Sequence, residues 1–379
     1  MDFQLKDHQL MIQKQAKKFA EEYLAPTVLE RDEAEIYPRD AFTKLGELGF
    51  LGLPYKKEYG GSGLGYLEYA LAVEEISKVE GAMGISFSVN TSLYGGPVNN
   101  FGTEEQKKKF LPKVLSGECV GAFGLTEPNA GSDAAGVVTK AVREGDHYII
   151  NGSKCFTTNG PIADYIFVVA STDPSKGTKG LTGFIVEKDM PGVSVGHIEE
   201  KMGIRPAKVS DMHYENVKVP VENRIGEEGQ GFKIAMNALD GGRIGVAAQG
   251  LGIAEGAFEI ARKYLMEREQ FGKPLYRNQY LAFKMAELAI KIEQAKYLVY
   301  KAALDRDEGR SYTLSAAKAK YAATNVAMEV TTEAVQMLGG NGFMRDYHVE
   351  RMMRDAKITQ IYEGTNEIQK LIVSGSLFR

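Results

Sequence analysis

A carboxylate followed directly by glycine, in Tyr362-Glu363-Gly364-Thr365, stands where helical periodicity breaks and is placed to act as a base. Glycine lacks a Cβ, so the backbone beside Glu363 can turn sharply and come close to a ligand. Well upstream, Gly124-Leu125-Thr126-Glu127-Pro128-Asn129-Ala130-Gly131-Ser132-Asp133 collects what a ligand-holding loop needs. Thr126, Ser132 and Asp133 offer side-chain donors and acceptors, Gly124 and Gly131 expose backbone amides, and Pro128 stiffens the turn. Such a loop can hydrogen-bond a planar heterocycle and a phosphate, although its composition alone fits a polar connection between domains equally well. Paired, the two segments describe a base brought up to something the loop holds.

Three stretches of different texture must position them. Residues 1–120 read as helical. Asp7 is the expected N-cap, and Leu10, Met11, Phe19 and Tyr23 recur at helical spacing until Pro26. Asp40 to Leu48 and Tyr66 to Val79 repeat the pattern on either side of a Tyr59-Gly60-Gly61-Ser62-Gly63 loop. From 121 to 227 β-branched runs take over. Tyr148-Ile149-Ile150 is expected to end in an Asn151-Gly152 hairpin turn, and Ile166 to Val169 reads as a buried strand. Leu181 to Glu187, Val193 to Ile198 and Met212 to Val219 continue a series that fits a small barrel or sandwich. From 228 to 379 the pattern is helical again, and Phe232 to Glu267, Asn278 to Asp307, Thr313 to Leu338 and Glu367 to Ser374 fit a bundle. The predicted fold class is α+β, in the order helices, β domain, helices.

Composition excludes several functions. A net charge of -4 with 25% charged residues provides no field for nucleic acid or an anionic membrane. Cys119 and Cys155 cannot make a disulfide framework and suit a reducing compartment. The polar start from Met1 to Asp7, with no apolar run of membrane length, leads to the expectation of a cytoplasmic protein. Gly250-Leu251-Gly252-Ile253-Ala254-Glu255-Gly256 has the wrong spacing and context for a dinucleotide fingerprint and reads as close helix packing. There is no Walker loop or HExxH, and His8, His147, His197, His213 and His348 are scattered, so neither a nicotinamide fold nor a metal site is expected.

The loop at 124–133 resembles the first signature of the acyl-CoA dehydrogenases. The stretch Gln336-Met337-Leu338-Gly339-Gly340-Asn341-Gly342-Phe343, with Asp346, Arg351 and Asp355, resembles the second. The likeness spans essentially the whole chain and shares its α, β, α order. It implies that family's fold, an N-terminal helical domain, a β-barrel or sandwich and a C-terminal four-helix bundle. It also implies FAD-dependent α,β-dehydrogenation of an acyl-CoA to the trans-2-enoyl thioester, with electrons passed to an electron-transferring flavoprotein. A homotetramer is implied too, each FAD being completed by a neighbouring subunit.

On that resemblance Phe123, Leu125, Thr126, Gly131 and Ser132 belong to the flavin and acyl-CoA loop, with Thr126 near the pyrimidine ring. Phe156-Thr157-Thr158 forms a second flavin segment, with Thr158 near N5 and Phe156 where Trp is usual. Phe keeps an apolar face and loses only the indole donor. Arg268, Gln270, Phe271 and Gln279, with Gln336, Leu338, Gly339 and Gly340, match the cross-subunit flavin motif, and Thr365, Asn366 and Glu367 join the cofactor set. Asp240-Gly241-Gly242-Arg243 resembles the family's Asp-x-x-Arg beside the CoA moiety, whereas the bare spacing suggests a surface ion pair. Some members carry the catalytic Glu immediately before this Arg. Gly242 stands there in this chain, which leaves Glu363 as the α-proton base while flavin N5 accepts the β-hydride. Ser132, Asp240, Arg243, Tyr362 and Gly364 complete the implied substrate contacts. The thioester oxygen would be met by the Glu363 backbone N–H and a ribityl hydroxyl, and enclosure would raise the Glu363 pKa into a useful range.

In related enzymes the segment corresponding to residues 82–96 floors the acyl pocket. Its Ser86, Ser88, Asn90, Thr91, Ser92 and Tyr94 would each cost about 1–3 kcal/mol if left unpaired against an alkyl chain. Asn90, Thr91 and Tyr94 are therefore expected at a short or compact acyl group. No cation lies on the segment to meet the distal carboxylate of glutaryl-CoA. Butyryl-CoA is the first expectation and an alicyclic or short branched acyl-CoA the second, with Gly84, Gly95 and Gly96 making room for width. An oxidase of this fold would be longer, and a non-catalytic scaffold would be colourless where this reading expects a yellow protein.

Overall fold

The computed structural model describes residues 4–378, so Met1 to Phe3 of the polar start lie outside the described residues. The chain opens with helices α1 (Asp7–Phe19), α2 (Val28–Ala34), α3 (Arg39–Glu47), α4 (Tyr66–Ser77), α5 (Gly81–Ser88), α6 (Gly96–Phe101), α7 (Glu104–Phe110) and α8 (Pro112–Leu115). Lys6 is the N-cap of α1, and Asp7 is its first helical residue, where a negative charge suits the helix dipole. Pro26 does not end the first run. It falls at the start of a 3-10 turn, Ala25–Thr27, where its missing N–H has nothing to lose, and the chain continues into α2.

Helix α4 carries apolar residues on every side, and all of its residues are buried. Such a helix has to be wrapped by others. Its first amides, Tyr66 N–H and Leu67 N–H, donate to the Asp307 carboxylate at 2.6 and 3.0 Å, a cap supplied by the far end of the sequence. This contact ties the first helical region to the last.

The middle of the chain forms β1 (Gly121–Gly124), β2 (Lys140–Glu144), β3 (His147–Thr158), β4 (Tyr165–Ser171), β5 (Leu181–Glu187), β6 (Val193–Ile198), β7 (Val209–Pro220) and β8 (Arg224–Ile225). They make one mixed sheet in the order β6-β7-β3-β2-β4-β5-β8, with β1 beside β4 in parallel. One face encloses Ala141, Tyr148, Ile150, Ile166, Val168 and Phe184. On the other face, Phe167, Val169 and Ile185 pack with Val98, Phe110 and Ile234 of the helices. Burial on both faces explains why Ile166 to Val169 is continuously apolar rather than alternating.

Asn151-Gly152 is not a hairpin turn, contrary to the sequence expectation. Strand β3 runs through it, and the turn falls at Gly145-Asp146, flanked by the Glu144 and His147 pair. Gly152 instead marks a register shift against β7 with φ 149°, and a Cβ there would lie 2.5 Å from Thr139 Oγ1. Only glycine tolerates this crowded bulge. A second shift, between Lys154 and Thr157, puts Phe156 at φ 53°.

The last region holds α9 (Gly231–Glu267), a short hairpin of β9 (Glu269–Gln270) and β10 (Lys273–Pro274), α10 (Gln279–Asp307), α11 (Thr313–Leu338), α12 (Val349–Thr359) and α13 (Asn366–Leu377). At 37 residues α9 is roughly 55 Å long, and it is buried without a break from Gly241 to Ala254. Gly252 and Gly256 let it lie against the neighbouring backbone: a Cβ would come within 2.1 Å of Glu74 O and 2.3 Å of Lys78 O. The small-residue run is thus the close helix packing expected of it. No helix among the described residues is long and apolar enough to cross a membrane.

A buried ion pair locks the β6–β7 connection to α12. Arg351 Nη1 donates to Asp355 Oδ2 at 2.9 Å and Nη2 to Val79 O at 2.8 Å, while the second Asp355 oxygen accepts the Ile204 N–H. Both side chains are almost fully buried, and burial pushes the Asp355 carboxyl above its usual range despite Arg351. Arg351→Met should therefore leave an uncompensated buried carboxylate at neutral pH and cost about 3–5 kcal/mol. A thermal unfolding midpoint equal to that of the parent would contradict this.

Candidate functional site

The base expected from sequence sits in a two-residue left-handed turn. Helix α12 ends at Thr359, and α13 starts at Asn366 behind Thr365, whose Oγ1 accepts the Ile368 N–H. Between them Glu363 has φ 55° and Gly364 φ 89°. The second position suits glycine, but the first is unfavourable for glutamate and persists only where its surroundings impose it. Those surroundings are specific. Arg243 Nε of α9 donates to Glu363 O at 3.3 Å, and Lys320 Nζ of α11 and Gln369 Nε2 of α13 each donate to Gly364 O at 2.8 Å. Arg243 is itself held by Asp240 at 2.6 Å, and Asp240 accepts from Thr313 Oγ1. Tyr362, the neighbour of the base, donates its hydroxyl to Gln249 Oε1, and Gln249 Nε2 donates to Gly81 O at 2.8 Å.

The carboxylate itself is left alone. Both Glu363 oxygens are buried with no hydrogen-bond partner among the described residues. Burial pushes the carboxyl up to about 8, against the pull of the Lys320 and Arg243 cations. The space it occupies is created by Gly242, since a Cβ there would lie 2.0 Å from Glu363 Oε2 and 2.7 Å from Leu93 Cδ2. A side chain at 242 and a carboxylate from 363 exclude one another.

Glu363 faces a cavity of about 630 Å³. The loop expected to hold a ligand contributes Phe123, Leu125, Thr126, Gly131 and Ser132 to its lining, and β3 contributes Phe156 and Thr158. Arg243, Tyr362, Gly364 and Thr365 line it as well. The loop's shape is set beneath the surface. Lys154, fully buried on β3, donates to Leu125 O at 3.1 Å and to Glu127 Oε1 at 2.6 Å, while the Glu127 oxygens accept Val138 N–H and Thr139 N–H. Burial pulls the Lys154 ammonium down to about 8 in spite of Glu127. Cys155 N–H donates to Thr126 O at 2.8 Å, and the next residue, Phe156, turned by the strand bulge, is 65% exposed. Thr157 is buried beside it, its Oγ1 without a partner and its side chain outside the cavity lining. The apolar ring of Phe156 and the hydroxyls of Thr126, Ser132 and Thr158 lining one cavity fit a planar, polar-edged heterocycle.

Other expected residues lie elsewhere. Asn366 is buried against Lys320, Thr324 and Asn325, and Glu367 is exposed beside Lys370. Arg268, Gln270, Phe271 and Gln279 cluster in sequence around the β9–β10 hairpin and the start of α10, exposed and outside this cavity, as are Gln336, Gly339 and Gly340 at the end of α11. Phe271 is 95% exposed. The Leu338 side chain is packed in the helical core instead.

Asn90, Thr91 and Tyr94 require correction. Asn90 Oδ1 accepts Gly121 N–H and its Nδ2 donates to Val114 O, Thr91 Oγ1 donates to Leu51 O, and Tyr94 stacks on Tyr165. None of the three lines the cavity. The segment α5 to Gly95, π-helical from Val89, instead presents Ile85, Val89 and Leu93, one helical turn apart, to the cavity. Its polar residues do not line the cavity: Ser88, Asn90, Thr91 and Ser92 are hydrogen-bonded within the protein, and the buried Ser86 Oγ and Tyr94 Oη have no partner among the described residues. Gly84 and Gly95 make no room for a wide acyl group either: their missing Cβ positions are taken by Ser77 Oγ and Tyr55 Oη.

Lys320, Lys154 and Gln249 carried no expectation, yet their spacing held a signal. Lys320 falls on the alanine stripe of Ala316 and Ala323, and Lys154 on the inward alternation that starts at Tyr148 and Ile150. Polar residues in phase with a core face are the trace that partnered buried groups leave in a sequence.

Three family models divide the chain between them: acyl-CoA dehydrogenase N-terminal domain over residues 6–118, middle domain over 122–217 and C-terminal domain over 229–378. The chain belongs to the acyl-CoA dehydrogenase family. It is 54% identical over 379 residues, all of both chains, to the short-chain specific acyl-CoA dehydrogenase of Clostridium acetobutylicum. Among solved structures it resembles butyryl-CoA dehydrogenase from Megasphaera elsdenii, with TM-score 0.99, 51% identity and full coverage of both chains. It also resembles, with TM-score 0.99, 55% identity and full coverage of both chains, a solved chain described under the electron transferring flavoprotein of Acidaminococcus fermentans.

Gly242→Ala tests the spatial exclusion at the base directly. The added methyl should force Glu363 out of its observed position, visible in a crystal structure of the variant, and cut turnover about ten-fold or more. Turnover and carboxylate position both unchanged would contradict the packing argument.

Proposed function

We propose that this chain is a cytoplasmic, homotetrameric, FAD-dependent dehydrogenase of short-chain acyl-CoA thioesters, with an electron-transferring flavoprotein as its redox partner. The observation that carries this reading is the buried, unpartnered Glu363 carboxylate at a cavity that the 123–132 loop also lines. The α-C–H of an acyl thioester is a weak acid, and its removal by a carboxylate needs a base kept out of water together with donors aimed at the thioester oxygen. Glu363 meets the first need through burial. Its backbone N–H has no partner among the described residues and is free to meet the second. Arg243, already committed to Asp240 and to Glu363 O, keeps a cation beside the turn for the anionic end of the thioester.

Thr126, Ser132, Phe156 and Thr158 would hold FAD in this subunit, and Arg268, Gln270, Phe271 and the 336–340 turn of a neighbouring copy would complete its site. FAD, when bound, supplies the two-electron acceptor for the β-hydride. Glu363 keeps the α-proton at its carboxyl oxygen while the chain around it excludes water. Apolar Ile85, Val89, Leu93, Met236 and Leu239 form the wall open to the acyl chain. The preference for a butyryl-sized group is supported by the short-chain and butyryl-CoA relatives, since the polar residues once expected at the pocket face away from it.

Anaerobic addition of butyryl-CoA should bleach the yellow protein, and Glu363→Gln should abolish bleaching while FAD stays bound. Retained turnover in that variant would assign the base elsewhere. Because the active form is the ionised carboxylate, whose population grows with pH, kcat/KM should rise as pH approaches about 8, where the free Glu363 titrates. A kcat/KM flat from pH 6 to 9 would count against it. Sedimentation of the flavin-loaded protein should show a tetramer, and a flavin-loaded monomer would overturn the cross-subunit role of Arg268 and Gln336 to Gly340.

A further inference from the structure

We propose that Lys320 is a positioning residue for α-proton removal: its buried ammonium holds the Glu363-Gly364 turn from behind and keeps a positive charge next to the base. The proposal rests on the reading of Glu363 as that base. Lys320 lies in the middle of α11 and is fully buried. Its Nζ donates to Gly364 O at 2.8 Å and to Asn366 Oδ1 at 3.3 Å, so it grips the residue after the base and the first residue of α13 together. With Arg243 on Glu363 O, consecutive carbonyls of the left-handed turn are each held by a cation from a different helix.

A purely structural account leaves this residue unexplained. Taking an ammonium out of water costs several kcal/mol, and the rest of this α11 face is alanine and threonine, namely Ala316, Ala319, Ala323, Thr324 and Ala327. An apolar side chain would pack there without that penalty. Gln369 already supplies a neutral donor to the same Gly364 carbonyl, so satisfying that oxygen does not require a lysine either. What neither a neutral donor nor an apolar residue provides is a second positive charge, besides Arg243, beside a carboxylate with no hydrogen-bond partner among the described residues.

The groups facing this pair are few. Arg243 reaches it from α9, Glu367 from α13, Tyr69 from α4 and Tyr362 from the turn itself, while Asp240 is paired with Arg243. Burial pulls the Lys320 ammonium below its usual range, and Glu363 is the first charge to pull it back up, so each member of the pair favours the charged form of the other. A cation beside a carboxylate favours the ionised form, so it lowers the pKa of the carboxyl. Without Lys320 the carboxyl of Glu363 must titrate at higher pH, and the rising limb of kcat/KM must move with it.

The test uses the FAD-loaded tetramer with Lys320→Met, which removes donor and charge, and Lys320→Gln, which keeps a donor. In both, the rising limb should move up by roughly one pH unit with flavin content unchanged. Turnover should fall about ten-fold or more in K320M and less in K320Q, whose amide can still reach Gly364 O. Difference infrared spectroscopy of the protonated carboxyl band, with Glu363→Gln as blank, reads the same shift without turnover. If K320M does not assemble, K320Q and the infrared titration carry the test. A limb and a carboxyl titration at the parent pH in K320Q would overturn the proposal, as would activity lost only in proportion to lost FAD. Should E363Q be inactive while both Lys320 variants behave as the parent, this proposal alone falls; an active E363Q would remove the reading beneath it.

Discussion

The structure is organised around one unfavourable object: a carboxylate excluded from water with no hydrogen-bond partner among the described residues. Glu363 cannot rely on hydrogen bonds to fix its oxygens, because any that did would also lower its basicity. The fold fixes its backbone instead. A left-handed glutamate followed by a left-handed glycine is a conformation that costs on the order of 1–3 kcal/mol, and three helices impose it through the carbonyls of residues 363 and 364. Position is thus specified through the main chain, and the side chain stays unpaired.

That arrangement demands unusually close helix packing. Helix α9 must pass near enough to bring Arg243 to the turn yet leave a void for the carboxylate, which is why Gly242 precedes it. The same helix runs against α4 with Gly252 and Gly256 on carbonyl oxygens. Apolar area per residue is low in such a glycine-rich stretch, and glycine in a helix interior is unfavourable by up to about 1 kcal/mol each. The compensation comes from burial on every side of α9 and α4, so that a 37-residue helix with weak intrinsic propensity is held by its neighbours.

The element order and the limits of the long helices α9, α10 and α11 were legible in the sequence because the signals are local: apolar period, caps and glycine breaks. The interruption of the helix at Glu363 was legible for the same reason. Two kinds of feature were not. Asn151-Gly152 carries a hairpin signal, but whether glycine's freedom is spent on a turn or on a bulge depends on Thr139, which lies against it only in the folded sheet. Lys154 and Lys320 look like ordinary surface charges until the phase of their strand and helix is followed, and their acceptors, Leu125 O, Glu127 and Gly364 O, are remote in sequence.

Polarity counted along residues 82–96 misjudges the acyl pocket for a related reason. A segment's composition says what it contains, while its pitch decides what it shows. Every residue from Gly81 to Gly95 is buried, so polar and apolar members alike need protein partners, and the helix sorts them. Ser88 and Ser92 bond along their own helix and to Tyr69, Asn90 and Thr91 bond to Gly121, Val114 and Leu51, and Ile85, Val89 and Leu93 remain for the cavity. The polar residues therefore act on specificity only indirectly, by anchoring the helix that carries the apolar wall. On the proposed reading of this cavity, discrimination among acyl groups comes from the size and shape of that wall, where one methylene is worth about 1–3 kcal/mol, and not from polar repulsion of a longer chain. Leu93 is then the position of greatest leverage, because it also packs against the spot at Gly242 where the Glu363 carboxylate is seated.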